Sequence, residues 1–171
     1  MRQRALETGL PLVYANLTGG QDELVFDGAS FALQADGALA GRAARFEPQL
    51  WPVQEAWQGG HLALAADSPE SPESPEGQLW AALVLALRDY ARKNGFGQAL
   101  LGLSGGIDSA LVLALAVDAL GANQVRTVMM PSPYTAGISL QDAREMARRV
   151  GVRHDEIDIA PAFETLQASL A

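Results

Sequence analysis

Cysteine is missing from this 171-residue sequence. Disulfides, thiolate metal centres and a cysteine nucleophile within the chain are thereby excluded. Positive charge is scarce: Lys93 is the one lysine, and 12 basic against 20 acidic residues leave a net charge of −8. That balance argues against a nucleic-acid partner. The adjacent Arg148 and Arg149 fall in a predicted helix and read as a solvated face rather than a binding patch. His61 and His154 are too far apart for ligand-like spacing, so both read as ordinary surface or hydrogen-bonded residues. No apolar run approaches membrane-spanning length, and Met1-Arg2-Gln3-Arg4 is not followed by a signal-type hydrophobic region. The expectation is a cytoplasmic protein with no membrane partner. Two common nucleotide signatures are lacking as well. There is no G-x-x-x-x-G-K-[ST] with its phosphate-binding lysine, and no G-x-G-x-x-G after a strand.

What the sequence does contain is Ser104-Gly105-Gly106-Ile107-Asp108-Ser109, set between the apolar run Ala99 to Leu103 and a second apolar run from Ala110 to Leu120. The pattern predicts a strand, a tight glycine turn and a helix. Glycine permits positive φ and leaves no Cβ between backbone and ligand. A helix start offers unpaired N–H groups and a positive dipole end, which suit an anion. Ser104 and Ser109 add hydroxyl donors, and Asp108 adds a carboxylate able either to hold a cation or to cap the helix. The hexapeptide resembles the pyrophosphate loop of ATP pyrophosphatases, enzymes that cut ATP between the α and β phosphates. The plainer alternative is a glycine-rich turn with no ligand.

Organisation changes along the chain. The repeat Ser-Pro-Glu between Asp67 and Gly77 reads as an extended linker, because repeated proline removes backbone donors. The expected division is 1–60, a linker over 61–77, and 78–171. Before the linker, a short helix over 1–8 stops at Gly9. Strands are expected over 12–17, 24–26 and 30–33, with a turn at Thr18-Gly19-Gly20-Gln21-Asp22. After it, helical spacing runs from Gln78 to Lys93. A strand leads to Leu103, and a helix that should be buried all round runs to about Leu120. A second strand covers 125–130, a helix capped by Ser139 covers 140–150, and a third strand covers 156–159. Strands separated by helices imply a parallel α/β sheet, whose ligands sit beyond the carboxyl ends of the strands. The glycine loop and Met130-Pro131-Ser132-Pro133-Tyr134-Thr135 both follow strand ends. Together they could frame one nucleotide, the second loop lying near its base or the co-substrate.

Leu79 to Leu103, the glycine loop and Met129 to Thr135 resemble the synthetase domain of the bacterial glutamine-dependent NAD synthetases. Gly9-Leu10-Pro11-Leu12-Val13-Tyr14-Ala15-Asn16-Leu17 and Gly19 to Gly28 resemble the end of that family's nitrilase-type glutaminase domain. The resemblance implies an α/β fold. Its adenine nucleotide hydrolase-like (ATP pyrophosphatase) half is preceded by the terminal strands of a nitrilase-like sandwich. It implies ATP-dependent amidation of deamido-NAD with ammonia from glutamine, through an adenylated intermediate. By motif, Gly102, Leu103, Ser104, Gly105, Gly106, Ile107, Asp108, Ser109 and Met130 would bind ATP. Ser104 would serve the catalytic step by donating to pyrophosphate, and Asp108 would hold Mg²⁺. A homo-oligomer is implied for the full-length enzyme. The glutaminase cysteine cannot lie in this chain, so the sequence reads as an incomplete middle piece, not expected to make NAD alone. Its uncovered apolar faces would favour self-association. Another ligase with the same loop, such as a GMP synthetase, and a non-catalytic nucleotide-binding fragment are the alternatives.

Overall fold

The computed structural model describes residues 1–68 and 74–170. The chain divides into two compact units, Met1–Tyr90 and Ala91–Ala171. Helix α2 (Pro75–Lys93) runs without interruption across the expected boundary at 77/78 and on past Tyr90.

In the first unit, α1 (Arg2–Thr8) ends where Gly9 turns left-handed at φ 64° and returns its N–H to Ala5. Strand β1 (Leu12–Tyr14) is shorter than expected. The expected turn over 18–22 is itself strand β2 (Thr18–Gln21), paired antiparallel with β3 (Leu24–Asp27), and only Asp22 and Glu23 make the turn. Two glycines hid this strand, since they carry no side-chain pattern. Strand β4 (Phe31–Leu33) lies between β1 and β5 (Leu39–Arg42) in a second antiparallel sheet. A third pair joins β6 (Val53–Gln58) to β7 (His61–Ala66) through Gly59 and Gly60, both at positive φ as a tight hairpin turn requires. Strand β7 therefore occupies the start of the expected linker. The linker's end is also structured: Ser74 Oγ accepts the Gly77 N–H at 3.1 Å, and Pro75 opens α2. Proline fits the first turn of a helix, where its missing N–H costs nothing. Residues 69–73 of the Ser-Pro-Glu repeat lie outside the described residues.

The second unit alternates strands and helices: β8 (Ala99–Gly102), α3 (Ile107–Leu120), β9 (Val125–Met129), α4 (Gly137–Val150), β10 (Arg153–Glu156) and α5 (Ala160–Ser169). The sheet is parallel, in the order β10-β9-β8. Along β9, Val125, Thr127 and Met129 are buried while Arg126 is exposed, the alternation of a strand covered on one face. Small residues let the helices approach: Ala116 and Ala119 of α3, and Ala143 and Ala147 of α4, are all buried. The expectation that α3 is buried all round fails. Leu113 is fully buried, but Leu111 and Val112 are about half exposed because this sheet covers one side of the helix only.

Two boundaries also move. Strand β10 lies over Arg153–Glu156, pairing Thr127 with His154 and Met129 with Glu156, rather than over 156–159. Cross-strand polar contacts fix it there, with Arg126 Nε donating to Asp155 at 2.5 Å. Arg144 of α4 grips Glu156 with two hydrogen bonds at 2.5 and 2.7 Å. Helix α4 begins at Gly137, so Ser139 lies within its first turn and does not cap it. Gly151 ends α4 in the left-handed region, as expected. No helix among the described residues is long and apolar enough to cross a membrane.

Candidate functional site

Leu103 anchors the loop that follows β8. Its side chain is 1% exposed, and its N–H donates to Val128 O at 2.8 Å, prolonging the sheet by one residue. The chain then surfaces. Gly105 takes φ 80°, and Gly106 occupies the N-cap of α3 in an extended conformation. The two serines close the loop. Ser109 Oγ donates to Gly106 O at 2.9 Å and accepts the Ser104 N–H at 3.2 Å. With the Ser109 proton so engaged, the 3.0 Å contact between the hydroxyls is a donation from Ser104 to Ser109. Ser104 Oγ in turn accepts the Gly106 N–H at 3.3 Å. The Ser104 hydroxyl must rotate away from Ser109 before it can donate to an anion.

The first intrahelical bond of α3 is Ala110 N–H to Gly106 O, at 3.1 Å. The N–H groups of Ile107, Asp108 and Ser109 therefore lack intrahelical acceptors and lie at the positive end of the helix dipole. Asp108 is exposed and takes no hydrogen bond or ion pair among the described residues. Gly106 holds the capping position, so capping is not what the Asp108 carboxylate does here. No cluster of three or more metal-type side chains exists among the described residues. The exposed Asp108 carboxylate is an oxygen ligand of the type Mg²⁺ takes together with waters and phosphate oxygens, whereas the helix-start N–H groups suit the phosphates and not the cation.

The glycines divide by role. A Cβ on Gly105 would lie 2.2 Å from Ser139 O and 2.8 Å from its Cα, so this glycine is required by the backbone of α4. A Cβ on Gly106 would meet only Ser104 Oγ, at 3.4 Å, and one on Gly102 would meet nothing within 4 Å.

Leu103, Gly105, Gly106 and Ile107 share a cavity of about 270 Å³ with Asp142 and Met146 of α4. Sequence reasoning missed those two residues and Ser139. The available signal was topological: the helix after β9 must lie beside the helix after β8. Met130 is not in that cavity. It is half exposed and lines a separate groove of about 800 Å³ with Leu100, Val128 and Ile157. The second loop is pinned by its own hydroxyls. Thr135 Oγ1 accepts the Ser132 N–H at 2.9 Å, and the Thr135 N–H returns to Ser132 O at 3.0 Å. Tyr134 meets Phe163 of α5 edge-on, with ring centroids 5.9 Å apart.

The histidines remain outside the loop. His61 is exposed on β7. His154 is only half satisfied: Nδ1 lies 2.9 Å from Thr127 Oγ1, but buried Nε2 has no hydrogen-bond partner among the described residues. The Arg126 hydrogen bond holds the Asp155 carboxyl below the usual range, and Arg144 does the same for Glu156.

A parallel sheet whose first strand ends in a serine–glycine loop at a helix start defines an α/β protein of the class that places anionic ligands at strand ends. Within that class the chain belongs to the NAD synthase family, whose model matches residues 79–171. It is similar to the glutamine-dependent NAD(+) synthetase of Rhodobacter capsulatus, at 48% identity over 169 residues covering 98% of this chain and 30% of the relative. The Xylella fastidiosa (strain 9a5c) enzyme of the same description is 46% identical, over 99% of this chain and 31% of its own length. Among solved structures, the Acinetobacter baumannii glutamine-dependent NAD+ synthetase in complex with ADP superposes with a TM-score of 0.92 and 39% identity. That match covers 99% of this chain and 32% of the other. The chain thus spans about 30% of the length of the curated relatives it matches.

Proposed function

We propose that this segment belongs to a glutamine-dependent NAD synthetase and joins the end of a nitrilase-like glutaminase domain to the start of an ATP pyrophosphatase-type synthetase domain. The observation that carries this reading is the Ser104–Ser109 loop at the end of β8, in a chain similar over 99% of its length to a synthetase whose structure is in complex with ADP. In this reading the antiparallel strands over 12–66 belong to the glutaminase end, and residues 78–171 to the nucleotide-binding half.

In this reading the carboxylate oxygen of deamido-NAD attacks the α-phosphorus of ATP. The bond to the bridging oxygen breaks, and pyrophosphate leaves with the electron pair. Ammonia from glutamine then attacks the activated carbonyl carbon, AMP leaves, and a proton is lost to give the amide. The chain's contribution is to receive the charge that develops on pyrophosphate. The N–H groups of Ile107, Asp108 and Ser109 are fixed before reaction, which makes them effective donors to a developing anion. The Ser104 hydroxyl joins them after leaving Ser109. Asp108 would hold Mg²⁺, which when bound neutralises charge on the phosphates.

A second reading has a specific observation behind it. An NMN synthetase from Francisella tularensis matches 57% of this chain at 34% identity, with a TM-score of 0.52. The nucleotide unit is therefore compatible with more than one acceptor, and the acceptor must be measured. The deciding experiment incubates an enzyme of full family length carrying this segment with Mg-ATP and either glutamine or ammonium, with deamido-NAD or a mononucleotide acid as acceptor. AMP, pyrophosphate and NAD appearing in equal amounts with deamido-NAD supports the proposal. AMP formation only with another acceptor replaces it.

A further inference from the structure

Asp89 and Thr127 are the buried polar side chains among the described residues. Thr127 belongs to the sheet, whereas Asp89 has no part in the loop. It is 7% exposed, and its Oδ2 accepts the Gly20 N–H at 2.9 Å within the first unit. The surrounding fit is close. A Cβ on Gly19 would lie 3.0 Å from that same oxygen, and a Cβ on Gly20 would lie 3.2 Å from Ala86 Cα. Helix α2 therefore rests on bare backbone, with a carboxylate buried at the contact. Burying a carboxylate is costly unless it is hydrogen-bonded, and an apolar residue would seat a helix on glycine more cheaply. Helix α2 is also the element through which the chain passes from the first unit into the second, between Tyr90 and Ala91. Residues 94–98 then lead directly to β8, which carries the loop at its end.

We propose that Asp89 is a positioning residue that ties α2 to the Gly19-Gly20 strand, and that use of glutamine-derived ammonia depends on this tie while use of free ammonia does not. The inference rests on the ligase reading above. It assigns Asp89 and Gly20 to the coupling of the two half-reactions and to neither reaction itself.

The test compares Asp89→Ala, Asp89→Asn and Gly20→Ala in an enzyme of full family length carrying this segment. NAD formed and glutamate released are measured with glutamine, and NAD formed with ammonium. Asp89→Ala is expected to lower glutamine-driven NAD formation roughly 2- to 30-fold, the range of single-residue coupling effects. Ammonium-driven turnover and the KM for ATP stay unchanged, and glutamate released per NAD rises. Asp89→Asn keeps an oxygen acceptor for the Gly20 N–H and should restore most of the coupling. Gly20→Ala should uncouple as Asp89→Ala does, which keeps the decision open if Asp89→Ala does not fold. An unchanged glutamate-to-NAD ratio in Asp89→Ala or Gly20→Ala, or an equal fall with both nitrogen sources, overturns the inference. Wild-type enzyme that forms no NAD from either nitrogen source removes the ligase reading itself, whereas NAD formed from glutamine and none from ammonium overturns this inference alone.

Discussion

Gly19-Gly20 and Gly105-Gly106 are both adjacent glycine pairs packed near a helix. The first pair lies in a strand and is closed over: the Asp89 carboxylate and Ala86 of α2 fill the space where its side chains would be. The second pair splits. Gly105 is filled by the Ser139 backbone, while Gly106 remains exposed beside two hydroxyls and a row of helix-start N–H groups. One dipeptide thus serves three demands, namely helix seating, helix–loop packing and an open surface at the N-terminal end of α3. Only the third leaves room for the proposed phosphate, and it falls on a single residue.

The strongest way to break this comparison is Gly105→Ala. At φ 80° an alanine is strained, and its Cβ would lie 2.2 Å from Ser139 O. Strain and overpacking together predict a loss of about 2–4 kcal/mol in stability, read by denaturant unfolding. If the glycine instead serves a phosphate, stability will hold and only ATP binding will fall.

Asp108→Asn probes the open side. The carboxylate is exposed and has no partner among the described residues, so unfolding should shift by no more than the about 0.3–1 kcal/mol that a charge in the first turn of a helix contributes. Loss of the proposed metal ligand should lower pyrophosphate release on the order of 10²-fold, as removal of one preorganised charge-stabilising group commonly does. Wild-type pyrophosphate release in this variant would exclude the metal role.

Gly106→Ala sharpens the contrast within the pair. Its extended backbone accepts any residue, and its Cβ meets only Ser104 Oγ. Stability should change by less than about 0.5 kcal/mol. The added methyl would crowd an anion at the loop, so KM for ATP should rise about tenfold, equivalent to about 1.4 kcal/mol of lost binding. An unchanged KM would mean that the phosphates approach from elsewhere.

The comparison also explains which parts of the molecule were legible in the sequence. Strand β8, the loop and α3 could be read because apolar runs and glycines mark them locally. Gly9 and Gly151 announced helix ends for the same reason. Strand β2 could not be read, because Thr18-Gly19-Gly20-Gln21 has no apolar alternation and is a strand only through its pairing with β3. Strand β10 was displaced toward Ile157 and Ile159 because Arg153-His154-Asp155-Glu156 looks like surface. Its polar residues are held by Arg126, Thr127 and Arg144, none of them adjacent in sequence. Ser139, Asp142 and Met146 join the loop through tertiary packing, which no local pattern encodes.

Strand β10 carries the smallest predicted effect, and its sign follows from the carboxylates. Arg126 depresses the Asp155 carboxyl, and Arg144 depresses Glu156. In α4, hydrogen bonds from Arg148 and then Arg149 bring Glu145 down to about 2. A carboxyl whose folded value lies below its unfolded value adds stability above the ordinary range, near pH 4, and loses it as pH falls through the folded value. The contribution is therefore complete at neutral pH; for Glu145 it fades between about pH 4 and pH 2, and for Asp155 and Glu156 it fades as pH falls below the ordinary carboxylate range. All three carboxylates are close to solvent, so salt should screen most of it. Arg144→Gln should lower Tm slightly at neutral pH and low salt, where Glu156 is charged and gripped. The difference from wild type should vanish in strong acid and shrink at high salt. A difference that persists in acid would mean that Arg144 acts by packing its stem against β10 rather than by its charge.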